Sequence, residues 1–136
     1  MKNKVMMTII FLLSLSTIFM NWFGDTRTDI VVSGLILLNN PIAVTCIFIT
    51  LAGIWLRFGE NAYKLTYIGL IGIAAMEIYE FFTWHIFTVS GAFDLRLSLD
   101  LCYPEFYIAV ICMFLTFFIF RYYFQEIDLT NAKEFI

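Results

Sequence analysis

The sequence predicts an all-α membrane protein: a bundle of four transmembrane helices with both termini inside, and a small β element formed by the two outer loops. Three observations predict it. Apolar residues make up 62% of the 136-residue chain and charged residues 14%, against about 45–50% and about 25% in a soluble domain. Four stretches are apolar for close to the roughly 20 residues that one crossing takes. The eight basic residues are distributed unevenly among the segments that join those stretches. The same composition excludes a disordered chain, and a net charge of −3 argues against nucleic acid, whose phosphates ask for a basic surplus.

Span one covers about residues 5–22, span two 41–56, span three 65–89 and span four 105–122. Together they make one integral membrane domain over residues 1–136. Lipid offers the backbone no hydrogen-bond partner, so each span reads as a helix. Lys2 and Lys4 precede the first apolar run, as in a signal peptide, but no small-residue cleavage site follows and Met20, Asn21 and Trp22 are poor cleavage neighbours. Span one therefore reads as a retained helix. Spans two and three are joined by residues 57–64 alone, which predicts a tight antiparallel hairpin. Pro41 and Pro104 open spans two and four at the first helical turn, where the missing N–H costs nothing. Gly69, Gly72 and Ala75 set a small-residue ridge on span three, which lets a neighbouring helix approach closely in lipid.

Lys2, Lys4, Arg57, Lys64, Arg121 and Lys133 fall on one side of this arrangement and Arg27 and Arg96 on the other. By the positive-inside rule both termini are cytoplasmic. The outer connections carry Asp25, Asp29, Asp94, Asp100 and Glu105. Trp22, Phe23, Trp84, Tyr103 and Tyr107 read as an outer aromatic belt, and Trp55, Tyr63, Tyr67, Tyr122 and Tyr123 as an inner one. The expected location is a plasma membrane of bacterial type.

The outer loops supply the β element. Asp94-Leu95-Arg96-Leu97-Ser98-Leu99-Asp100-Leu101 alternates polar and apolar without a break, the pattern of a half-buried strand. Residues 29–36 of the first loop are rich in β-branched side chains. A lone strand is unstable in water, so the two loops must pair with each other, lie on the bilayer or dock on a partner; the expectation is a small outer β element packed over the helix bundle. The alternative for residues 29–36 is an N-terminal extension of helix two, kinked at Pro41. Four spans under a β-rich outer cap resemble claudin-like proteins in architecture alone; the paired outer cysteines of that group are missing.

Glu77 and Glu80 are the residues most suggestive of chemistry. Their i, i+3 spacing puts both on one face of span three, close to mid-membrane. A carboxylate there costs about 2.5–3.5 kcal/mol even on the milder insertion scale. Such groups face the interior, find a partner or take up a proton. Thr8, Ser14, Ser16, Thr45 and Thr50 are the hydroxyl partners available. His85, the only histidine, does not share the face of Glu80 and reads as an interfacial residue with one ring nitrogen in water. Together Glu77, Glu80 and His85 form the candidate intramembrane polar site, and Asp94, Arg96 and Asp100 the candidate outer interaction surface. Glu-x-x-Glu with a distant histidine does not match the carboxylate–histidine pattern of di-iron bundles, so no metal and no cofactor is expected. Cys46, Cys102 and Cys112 contain no C-x-x-C; a Cys46–Cys102 bridge is geometrically conceivable. Hydrolase, metalloprotease and phosphate-loop motifs are missing.

These features lead to the expectation of a non-enzymatic membrane protein that binds a partner, as an accessory subunit or an immunity-type protein. Its partners would be the lipid bilayer and a second membrane protein or further copies of itself. The alternative is a small oligomeric transporter or proton-coupled carrier built around Glu77 and Glu80.

Overall fold

Asn40 and Pro41 show how this sequence starts its helices. The Asn40 side chain accepts a hydrogen bond from the Ile42 amide at 3.0 Å, capping the helix, and Pro41 fills the first turn. In the computed structural model of the chain this helix, α2, runs Pro41–Trp55. The structure describes residues 2–25, 29–56 and 61–134, with side chains over 3–25, 29–56 and 63–124. Arg27, Arg57 and the Lys2 and Lys133 side chains, on which the orientation reading leaned, lie outside the described residues.

The remaining helices are α1 (Lys2–Leu15), α3 (Asn61–His85), α4 (Leu95–Asp100) and α5 (Pro104–Glu134). A 3₁₀ segment, Ser16–Phe19, follows α1, and another, Gly34–Asn39, precedes α2. A π-helical turn, Ile86–Ser90, extends α3. Two strands, β1 (Asn21–Asp25) and β2 (Ile30–Ser33), pair antiparallel, with an irregularity between Asn21 and Phe23. The chain is thus mostly helical with one small sheet. Two runs, Tyr63–Ser90 and Pro104–Phe124, are long and apolar enough to cross a membrane; Asn3–Phe19 and Pro41–Trp55 are apolar but shorter.

Three expectations need correcting. Span one does not stay helical to Trp22: the α-helix ends at Leu15 and Trp22 lies in β1. The cause is local. Ser16 and Thr17 turn their hydroxyls back onto the carbonyls of Leu13 and Ser14, at 2.6 and 2.8 Å, and the tighter 3₁₀ turn takes over. Residues 94–101 are not a strand but form α4. Asp94 caps it, its Oδ1 accepting from the Arg96 amide at 2.9 Å. Nor do the two outer loops share a sheet. Both strands belong to the first loop, and the second contributes a single bridge, Phe23 with Cys102. Hydrogen bonds from the Gly24 amide to the Leu101 carbonyl (2.9 Å) and from the Tyr103 amide to the Trp22 carbonyl (2.8 Å) tie the loops together. Residues 29–36 divide between the two readings: Ile30–Ser33 is strand, and the segment from Gly34 leads helically toward α2.

The core lies under this cap. Trp22, Phe23 and Trp84 are fully buried, so they pack internally and do not form an interfacial belt. Phe23 stacks on Trp84 with ring centroids 5.0 Å apart and meets Phe106 at 5.1 Å. Phe106 stacks in turn on Phe81 at 5.4 Å. At the opposite end Lys4 Nζ donates to the Trp55 carbonyl at 3.1 Å and Trp55 Nε1 donates to Thr8 Oγ1 at 3.1 Å. The start of α1 therefore lies beside the end of α2.

α2 and α3 pack closest. A Cβ on Gly69 would meet the Thr50 hydroxyl and stand 2.7 Å from the Cys46 carbonyl oxygen, and one on Gly72 would meet the Cys46 sulfur. Two members of the small-residue ridge thus serve contact within the chain. Ala75, the third, is exposed and faces an apolar cleft of about 360 Å³ between α3 and α5.

Candidate functional site

α3 carries both glutamates inward: Glu77 is 1% exposed and Glu80 7%. Their surroundings differ. Glu80 lies at the level where α2 begins and receives a hydrogen bond from the Asn40 side chain. One residue thus caps α2 and steadies a buried carboxyl of α3. Glu77 sits one turn deeper, and its Oε2 has no hydrogen-bond partner. Ser14 Oγ and Trp84 Nε1 are likewise buried without one.

Of the five hydroxyls named as partners, Ser14 is the unpartnered one and the other four are otherwise engaged. Thr8, Thr45 and Thr50 donate to the carbonyls of Lys4, Pro41 and Cys46, at 2.9, 2.8 and 2.9 Å, each one turn back on its own helix. Ser16 bonds to Leu13. The partner that Glu80 does have, Asn40, has a clear signal as a helix cap in the sequence. Its second role depends on the antiparallel packing of α2 on α3, which no local pattern reveals.

His85 has neither nitrogen in water, a further correction. It is fully buried. Its Nε2 accepts from the backbone amide of Asp94 at 3.0 Å, and its Nδ1 lies 3.1 Å from Ser98 Oγ. An Nε2 that accepts carries no proton, so the neutral ring holds its hydrogen on Nδ1 and donates to Ser98. Ser98, itself fully buried, then directs its own hydrogen to the Asp94 carbonyl at 3.3 Å. Every donor has an acceptor in this small circuit. It clasps the start of α4 onto the end of α3. The Asp94 carboxylate takes no part, being committed to the helix cap, so the trio differs from a nucleophile–base–acid relay.

The structure does not bring the six candidate residues into one place. Glu77 and Glu80 lie inside the helices, and His85 belongs to the clasp with Asp94. Arg96 and Asp100 stand exposed on the outer face of α4. All three cysteines are free thiols. Cys46 is buried against Gly72. Burial pushes the Cys102 thiol up to about 11, opposed by a hydrogen bond with Tyr107. Among the described residues no three His, Cys, Asp or Glu side chains come together as metal ligands would. Set beside known proteins, the chain matches no family model, no curated protein and no solved structure.

Proposed function

We propose that this is a four-span protein of a bacterial-type plasma membrane, both termini cytoplasmic, that acts by binding a partner at its outer face. The polarity of the molecule supports the membrane part. Large apolar side chains such as Ile68, Ile71, Phe114 and Phe118 are exposed along α3 and α5, while Glu77, Glu80, Thr50, Thr66 and Thr116 are buried. A soluble protein sorts these groups the other way. One observation carries the binding part: the His85–Ser98–Asp94 clasp spends a fully buried histidine and serine on fixing a six-residue helix. A surface held this firmly presents Arg96 and Asp100 in a fixed geometry, which suits recognition.

A photocrosslinking residue placed at 96 or 100 in living cells tests this. One discrete adduct is expected, lost when the other position carries alanine, with the amount of inserted protein unchanged. Absence of any adduct from both positions in correctly inserted protein overturns the reading.

A second reading, a small oligomeric proton- or cation-coupled carrier, draws on the Glu77 oxygen that is buried without a partner. Under it, the Glu77→Gln, Glu80→Gln double variant loses cation or proton uptake in reconstituted vesicles. Equal uptake in variant and parent excludes it.

A further inference from the structure

We infer that the outer cap lies within the interfacial layer of the bilayer, ringed by an apolar collar whose partner is lipid. The inference rests on the membrane reading above and adds where the cap sits. It starts from a shortfall. The 14 residues of α1 and the 15 of α2 rise about 21 and 22 Å, against about 30 Å of hydrocarbon. At its cap end α1 runs directly into a 3₁₀ segment, and another leads into α2 through the extended residue Asn40; such segments add about 2 Å per residue. The missing apolar depth is therefore found in the cap itself.

The side chains of those segments agree. Phe19 is 71% exposed, and Leu35 and Leu38 are 41% each. In a 3₁₀ helix residues three apart eclipse. Leu35 and Leu38 thus share the outward face, while Gly34 and Leu37, also three apart, are buried.

α4 completes the collar on another element. At about 100° per residue its positions fall into three arcs. Leu97, Ser98 and Leu101 turn toward the protein, Leu95 and Leu99 form one exposed arc, and Arg96 and Asp100 form the other. A helix with one protein-facing, one apolar and one charged arc fits a boundary where protein, lipid and water meet. The apolar arc is continuous with the exposed side of α3, because Phe93, just ahead of α4, sets its ring 6.1 Å from that of Phe82. The collar is spread over three elements and not gathered into one patch, which fits a surrounding medium better than one docked protein.

The test is residue-level footprinting of the purified full-length protein in phosphatidylcholine vesicles. An apolar diazirine acts as the lipid-phase reagent, and hydroxyl radicals act from water. The expected result is carbene labelling of Phe19, Leu35, Leu38, Leu95 and Leu99 within about threefold of Ile71 and Phe118, with Arg96 and Asp100 labelled mainly from water. If the collar is modified from water and spared by the carbene while Ile71 and Phe118 are labelled, the cap stands clear of the bilayer and the inference falls alone. Sparing of the collar by both reagents means that a second copy covers it, which also overturns the inference. If Ile71 and Phe118 escape the carbene too, the membrane reading itself fails.

Discussion

His85 is where the chemistry of single residues decides most about this protein. Its ring is the acceptor for one backbone amide and the donor to one serine, so each loss leaves a buried polar atom unpaired. Ser98→Ala removes the partner of Nδ1 and should cost about 1–3 kcal/mol locally. His85→Leu removes the acceptor of the Asp94 amide as well. Hydrogen exchange followed by mass spectrometry should show amides 94–100 exchanging faster in both variants, more so in His85→Leu, with those of 66–80 unchanged. Cys102 supports a second expectation. Only the thiolate is nucleophilic, and a thiol raised to about 11 stays protonated across the neutral range. Its alkylation by a water-soluble maleimide should therefore be slow at pH 7 and rise close to tenfold per pH unit toward pH 9. A rate independent of pH would contradict the burial that holds the thiol neutral. The two glutamates were visible in the sequence because charge is scarce there. The clasp was not, because the residues that complete it lie nine and thirteen positions away and a π-helical turn intervenes.

At the scale of elements, α4 shows how one pattern fits two structures. Strict alternation over residues 94–101 suits a strand. Two residues along a helix, however, turn through about 200°, so alternate leucines also fall on opposite sides of a helix. Leu95 and Leu99 point out and Leu97 and Leu101 point in. The period did not distinguish the two, and the capping carboxylate of Asp94 did. Helices α2 and α3 illustrate the reverse case, in which spacing was informative. Glycines 69 and 72 sit where any side chain would strike the neighbouring helix. On an isolated helix Gly69→Ala gains up to about 1 kcal/mol from helix propensity. Here the added methyl meets the α2 backbone, so the variant should melt lower than the parent in detergent. A higher melting temperature would mean that the two helices do not approach this closely. Ala75→Gly, on the exposed side of the same ridge, is the control and should show only the small propensity loss.

For the molecule as a whole, the composition pointed to a membrane, and two helices are long and apolar enough to cross one; the apolar stretches placed α2, α3 and the start of α5 within a few residues of their positions but missed how far α5 continues. The sequence pattern misplaced three of the outer aromatics, Trp22, Phe23 and Trp84, and the reason is general. Trp and Tyr near the end of an apolar stretch suit an interface equally well whether they face lipid or one another. Only the return of the second loop onto the first turns Trp22, Phe23 and Trp84 inward. Phe23 is the hinge of that arrangement, touching rings from α3 and α5 as well as Trp22 in its own strand. Phe23→Ala should cost about 3–5 kcal/mol, and the loss should be shared. Residues 21–25, 30–33 and 101–106 should become exchange-labile together. Independent loosening of one segment alone would show that the cap is not a single cooperative unit.

The two backbone hydrogen bonds from β1 to residues 101–103 also set a timetable for biosynthesis. They join parts of the chain separated by about eighty residues, and such long closures form late. While the ribosome is still making α2 and α3, Trp22 and Phe23 have neither residues 101–103 nor Phe106 to cover them. A nascent chain that stalls or is cut before α5 emerges therefore displays two bare aromatic rings. Exposed rings of this kind are what quality-control proteases bind, so on the membrane reading proposed above a chain cut before α5 is expected to be cleared faster than one that includes it.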